Sequence, residues 1–214
     1  MLSSPTSRPS IRFWDRVAPK YARKPISDPV AYEKSLSAVA ALLRTSDLVL
    51  EIGCGTGTTA LRLAPRVAHY TATDGARGMV EIAQAKLGPD APANVTFKHA
   101  DALEMPEATK FEAICAFSLL HVVRDVSEVL ERSYRQLKPG GIFISKTVCL
   151  KHLNPPMRVM VRILSAIGIA PRLTFLSRDE LVALLGAAGF TVERSTYFDA
   201  KRMSPFIVAR RPAN

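Results

Sequence analysis

The stretch Leu48-Val49-Leu50-Glu51-Ile52-Gly53-Cys54-Gly55-Thr56-Gly57-Thr58 decides the fold. An apolar run ends in three glycines at alternate positions, and apolar periodicity resumes at Ala60, Leu61 and Leu63. This pattern predicts a buried strand, a tight turn and the start of a helix. Strand-to-helix turns of a parallel sheet are where nucleotide-like ligands sit, because the first N–H groups of a helix are unpaired. Glycine lets the backbone turn sharply and approach a ligand with no Cβ in between. A dinucleotide fingerprint, Gly-x-Gly-x-x-Gly, would place its third glycine where Thr58 stands. Here that glycine comes one residue early, at Gly57.

Working outward, the chain alternates between strand and helix patterns. Strands are predicted at Leu48–Ile52, His69–Thr73, Val95–His99, Ala113–Phe117, Gly141–Thr147, Thr191–Tyr197 and Phe206–Ala209. Helices are predicted at Ile11–Tyr21, from Asp28-Pro29 to Leu43, and at Thr58–Ala64, Ala76–Lys86 and Val126–Gln136. Asp28 before Pro29 is a helix start, and Ser177-x-x-Glu180 is a capping-box pattern opening a helix that ends at Gly189. Such alternation predicts an α/β fold, a mostly parallel sheet with helices on both faces. Tyr70-Thr71-Ala72-Thr73-Asp74 ends its strand in a carboxylate, one strand–helix–strand unit beyond Glu51. A carboxylate there can accept hydrogen bonds from both hydroxyls of a ribose.

These motifs, in this order, resemble the class I S-adenosylmethionine (SAM)-dependent methyltransferases. The family's first motif is an apolar strand followed by Glu/Asp-x-Gly-x-Gly-x-Gly, matched by Glu51, Gly53, Gly55 and Gly57. The resemblance implies a Rossmann-like seven-stranded sheet whose last strand is antiparallel, and SAM as cofactor. It implies that the three glycines make room for the cofactor and that Glu51 contacts either the loop or its methionine end. Asp74 would hold the ribose, and Asp101 with Ala102 the adenine. Met79 would lie against the adenine, although a core methionine of its helix is an equal reading. The segment from Phe111 to Val122 looks like the fourth strand and its loop, with Phe117 and its neighbours facing the transferred methyl. Leu137-Lys138-Pro139-Gly140-Gly141 looks like the family's turn into the fifth strand. The pattern is most similar to the ubiquinone/menaquinone-biosynthesis type, which does not make a quinone the substrate. Tyr21 and Trp14 sit where an N-terminal aromatic helix folds over the cofactor in similar enzymes, or serve only as packing.

Methyl transfer from a sulfonium is an in-line displacement, so the protein mainly has to place a nucleophile opposite the methyl. A base is needed only for a protonated acceptor. His121, just past the fourth strand, is the candidate base; the competing reading is a structural histidine bonding a loop carbonyl. His99 reads as strand packing. No His/Asp cluster suggests a metal. Asn154-Pro155-Pro156-Met157 mimics a motif of nucleic-acid amino-methyltransferases, but it follows the fifth strand rather than the fourth and ends in Met. It reads as a turn opening a helix.

At 214 residues the chain is long enough for one domain with a substantial core. Residues 1–10 read as a disordered lead-in without the apolar core of a secretory signal, and 11–214 as one domain. No apolar run reaches the length of a membrane span. The three cysteines, Cys54, Cys115 and Cys149, lack metal-ligand spacing and read as reduced core residues of a cytoplasmic protein.

The net charge is +10, and no Asp or Glu occurs between Arg132 and Arg178. That segment is either a binding surface or plain solvated surface. Within it, residues 151–175 carry an additional helix with Met157, Met160, Val161 and Leu164 on one face and Arg158, Arg162 and Ser165 on another. Three readings stay open: a lid over an apolar pocket, a helix lying on an anionic membrane, or an ordinary packed helix. The favoured activity is methyl transfer to a small-molecule acceptor, apolar or lipid-like in character. A nucleic-acid (RNA) methyltransferase is the alternative, motivated by net charge alone, so nucleic acid is the less favoured partner. A non-catalytic SAM- or NAD-binding module is the third, with NAD disfavoured by Thr58.

Overall fold

The computed structural model describes residues 8–102 and 109–213. Most of the expected lead-in lies outside these residues. The strands are β1 (Leu48–Ile52), β2 (His69–Asp74), β3 (Val95–His99), β4 (Phe111–Phe117), β5 (Leu137–Lys146), β6 (Thr191–Thr196) and β7 (Phe206–Arg210). The α-helices are α1 (Arg8–Ala22), α2 (Pro29–Ala40), α3 (Thr58–Leu63), α4 (Arg77–Gln84), α5 (Val126–Gln136), α6 (Pro155–Ala166) and α7 (Arg178–Ala187).

All seven strands join one sheet in the order β3-β2-β1-β4-β5-β7-β6. Pairing is parallel from β3 to β5, and β7 runs antiparallel to both of its neighbours. The fold is therefore the expected α/β sheet with its last strand reversed. The chain leaves β1 for β2 and β3, then returns to pair β4 on β1's other side. The carboxyl ends of β1, β2 and β4 thus flank a switch point, the place where open α/β sheets bind ligands.

Side-chain alternation along β1 explains why Leu48, Val49, Leu50 and Ile52 are all apolar. Val49 packs with Tyr70, Ala72 and Cys115 on one face, under Val39 of α2, Leu63 of α3 and Val80 of α4. Leu50 and Ile52 pack with Ile114 and Phe143 on the other, under Leu130 of α5 and Leu181 of α7. A strand covered on both faces favours apolar residues on both, with Glu51 the exception in β1. Each fully buried Leu, Ile or Phe here contributes about 1.5–3 kcal/mol over leaving it exposed.

Local signals set the helix starts. Asp28 accepts from the Ala31 N–H with Pro29 in the first turn. Ser177 and Glu180 form a complete capping box, and Gly189 follows α7 at φ +95°. Asn154 caps α6 by accepting from the Met157 N–H, with Pro155 at its first position. The Asn-Pro-Pro tripeptide is thus a helix start.

Several boundaries differ from expectation, and two of them have a tertiary cause. Helix α1 begins at Arg8, inside the segment read as disordered. Its start is fixed by contacts far away in sequence, such as Ser10 Oγ donating to the Val122 carbonyl at 3.4 Å. Strand β5 begins at Leu137 rather than Gly141, because Leu137 pairs with Phe111 before the register shifts.

Gly57 ends the turn after β1 at φ +76°. A Cβ there would lie 2.6 Å from the Phe97 ring and 2.8 Å from the Ala83 Cβ. Left-handed backbone and overpacking both penalise a side chain. Gly57→Ala is expected to lower unfolding free energy by about 2–4 kcal/mol. Urea unfolding of the two proteins checks this, and a loss below about 0.5 kcal/mol would show that the turn tolerates a Cβ.

Candidate active site

The turn after β1 is tied down from three directions. The Cys54 N–H donates to the Thr73 carbonyl of β2 at 2.9 Å. Lys86, just past α4, donates to the Thr56 carbonyl at 2.6 Å and to Thr58 Oγ1 at 3.2 Å. Asp74, ending β2, accepts from the Gly55 N–H at 2.9 Å through one oxygen and from the Ala76 N–H at 2.8 Å through the other. Each carboxylate oxygen has two lone pairs, so both keep capacity for a ligand hydroxyl. Burial raises the Asp74 pKa above the usual carboxylate value, against the two backbone donors that lower it.

Beside Asp74 opens a cleft of about 980 Å³. It is the size of a small-molecule or cofactor site. Of the residues expected to bind a cofactor, Gly53, Gly55, Asp74, Met79, Asp101, Ala102, Phe117 and Tyr21 all line it. Met79 is only 2% exposed, so it is at once a core methionine and part of the wall. Gly55 has φ +54°, and a Cβ there would meet nothing closer than the Tyr21 ring at 3.9 Å. It therefore points at open cleft. Ser118, at the tip of β4, also takes a positive φ of 53°, strain that a non-glycine residue adopts rarely.

Helix α1 covers the cleft. Its Asp15 accepts from the Gly78 N–H of α4 at 2.9 Å, and Ala18 packs on Ala76 and Met79. Trp14 and Tyr21 meet edge to face with ring centres 5.8 Å apart, and both line the cleft. The Trp14 indole N–H is buried with no hydrogen-bond partner among the described residues. A nucleoside-bearing cofactor fits this arrangement. Asp74 would hold vicinal hydroxyls, Gly55 would let the ligand approach the backbone, and Met79 with Ala102 would present apolar surface to a base.

Three expected site residues sit elsewhere. Gly57 faces Phe97 and Ala83, so its missing Cβ serves packing. Glu51 is 2% exposed beneath the turn and does not line the cleft. His121 does not line it either. Its main-chain carbonyl accepts from the Thr174 N–H at 2.8 Å, and burial pulls its imidazole pKa down to about 4. The ring thus sits apart from the cleft that most of the other expected site residues line. Arg172–Thr174 were missed as cleft residues; Thr174 Oγ1 donates to the Val123 carbonyl at 2.6 Å, fixing the stretch against the loop after β4. Nothing local in the sequence announces that contact. No residue of α6 lines the cleft, so this stretch, not the helix, is where the 151–175 segment reaches it.

Fold and cleft together define a Rossmann-like α/β protein with a small-molecule cleft at the sheet's switch point. Residues 49–141 match the family model described as a methyltransferase domain. The chain is 34% identical over 116 residues to the demethylmenaquinone methyltransferase of Clavibacter sepedonicus, covering 53% of this chain and 44% of that one. It is 30% identical over 154 residues to the ubiquinone biosynthesis O-methyltransferase of Azorhizobium caulinodans, covering 66% and 58%. The chain spans about half the length of the curated relatives it matches. The structure of magnesium protoporphyrin IX methyltransferase from Synechocystis PCC 6803, which holds bound SAH, shares the fold with a TM-score of 0.68 at 20% identity, covering 94% of this chain and 93% of that one.

Glu51 remains to be accounted for. Burial pushes its pKa from 4.5 up to about 8; the Tyr70 hydroxyl, donating at 3.0 Å, opposes this, and the nearby Asp74 charge adds to it. The folded protein therefore keeps a proton that the unfolded chain releases near the ordinary value. Between about pH 4.5 and pH 8 the folded state binds more protons, so stability falls as pH rises through that window and levels off above it. Glu51→Gln keeps an acceptor for Tyr70 and carries no charge. Its stability is expected to fall less with pH, the gap widening by about 1.4 kcal/mol per tenfold change in proton affinity. Urea unfolding of the cofactor-free proteins at a series of pH values checks this; parallel curves would contradict it.

Proposed function

We propose that this protein is a SAM-dependent methyltransferase acting on a small-molecule acceptor of apolar or lipid-like character. The carrying observation is the convergence of Asp74, Gly55, Met79 and Asp101 on one wall of a cleft at the sheet's switch point. When bound, SAM supplies a methyl on a sulfonium, which leaves as a neutral thioether when an acceptor O, N or C attacks the carbon. What the chain contributes is placement. Asp74 orients the ribose end, Asp101 and Ala102 take the adenine, and Phe117 to Leu119 border the space beside the methyl. Helix α1, with Trp14 and Tyr21, excludes water from the same space. Val122, Val123 and Leu173 give the cleft an apolar stretch on the acceptor side. The named activities of the relatives, on quinone-type acceptors, support an acceptor of this kind.

The nucleic-acid reading rests on net charge alone, and several basic side chains are individually held by carboxylates. Lys138 pairs with Glu112, Lys151 with Glu180, Arg62 with Glu33 and Arg210 with Glu193. A cytoplasmic location belongs to the same reading.

The test is methyl transfer from labelled SAM into two fractions of the source cell, a lipid extract and an aqueous metabolite pool. Label is expected in the lipid fraction and should fall at least about tenfold with Asp74→Ala, the loss of a charge-assisted hydrogen-bond acceptor for the ribose. Label confined to the aqueous pool would overturn the apolar acceptor. No transfer to either fraction, or to RNA, would overturn the activity.

A further inference from the structure

Helix α6 has the composition of a core helix and the placement of a surface one. None of its residues is buried. Met157, Val159, Met160 and Ile163, with Ile167 and Ile169 past its end, are 40–65% exposed. At about 100° per residue, the side chains from Val159 round to Met157 fill one continuous apolar arc. No charged residue interrupts it. The half-buried side chains are Arg158, Val161, Leu164 and Ser165, so the helix turns its more polar face toward the protein. Apolar residues scattered singly over a surface need no explanation, but Met157, Val159, Met160 and Ile163 side by side on one helix arc mark a contact site.

The charge around the patch selects its partner. Of the basic residues between Arg132 and Arg178, Lys138 and Lys151 are neutralised by carboxylates, and Arg132 and Arg135 pair with glutamates one turn earlier. Arg158, Arg162 and Arg172 have no acidic partner among the described residues. Arg162 stacks on the Phe175 ring at 5.0 Å, which holds a guanidinium beside the apolar arc. A second copy docking by the same face would bring like guanidinium groups together. An anionic lipid surface takes both features at once, apolar side chains entering the acyl boundary and the exposed Arg162 and Arg172 reaching the headgroups. Among the described residues no helix is long and apolar enough to cross a membrane. At 12 residues, α6 is about 18 Å long and suits lying in the interface.

The patch is also continuous with the cleft. The Gly168 carbonyl, just past α6, accepts from Arg16 of the covering helix α1 at 2.9 Å. The chain then runs directly into the cleft-lining stretch Arg172–Thr174. We infer that α6 is an interfacial helix that docks the protein on an anionic membrane surface, with the cleft mouth close to the lipid. The inference deepens the proposed function by naming where an apolar acceptor is met, and docking itself can be measured without any methyl transfer.

The experiment is cosedimentation of the full chain with vesicles of phosphatidylcholine alone and of phosphatidylcholine with about one third phosphatidylglycerol, alongside the variant Met160→Ser/Ile163→Ser. Both positions are exposed and outside the cleft, so melting temperature and SAH affinity should match wild type. Wild type is expected to bind anionic vesicles at least about tenfold better than neutral ones, and the variant to lose about tenfold of that binding. Equal sedimentation with and without vesicles, or unchanged binding by the variant, would overturn docking. A concentration-dependent dimer abolished by the same variant would assign the face to a second copy instead. SAH binding measured on the same preparations separates the two claims. Docking without SAH binding would sink the methyltransferase reading alone, and SAH binding without docking would sink only the membrane contact.

Discussion

The Asp74 carboxylate, receiving the N–H of Gly55 on one oxygen and that of Ala76 on the other, holds the working end of this molecule together. It fastens the turn after β1 to the start of α4, across the gap between two parallel strands. Charge-assisted bonds to backbone donors are shorter and stronger than neutral ones, and here they are part-buried. Everything around the cleft is referred to that junction. The turn's left-handed glycines hold the shape it dictates, Lys86 laces the far side, and α1 covers the open side through Asp15 and Gly78. A side chain able to fix the protein's own backbone and still accept two ligand hydroxyls is economical, because one acid both builds and uses the site.

Much of this is written locally. The apolar run into alternating glycines, and the strand ending in Asp74, are short-range patterns, and seven strands follow from their succession, whereas the reversed last strand is implied only by the family resemblance. Asp28, Asn154 and Ser177 open the helices where their side chains can take the first N–H groups. Parity could also have placed Glu51. It alternates with Leu50 and Ile52, so it points sideways into the layer beneath α2–α4 and not out of the strand's end. Gly57 is different, because its need for no Cβ arises from Phe97 and Ala83, forty and twenty-six residues away in sequence by position. Likewise His121 is set back by the docking of Thr174, and the start of α1 by a contact to the loop after β4. Such tertiary contacts leave no trace in periodicity or spacing.

Charge illustrates the same division. The acid-free segment from Arg132 to Arg178 looks in sequence like one basic surface. In three dimensions carboxylates from before and after it, Glu112 and Glu180 among them, fold back onto its lysines. What is left over in that segment includes Arg158, Arg162 and Arg172, of which Arg162 flanks the apolar arc of α6. A residual charge placed next to exposed hydrophobic surface has a more specific meaning than the net charge of +10 from which it derives.

The central claim is that the cleft beside Asp74 is the cofactor site. Hydrogen–deuterium exchange with and without SAH tests it most directly, because amide protection reports where a ligand sits. The account predicts slowed exchange confined to the turn at 53–57, to residues 74–79 after β2, to 117–123 after β4 and to the covering helix α1. Protection elsewhere in the sheet, or none at saturating SAH, would contradict it.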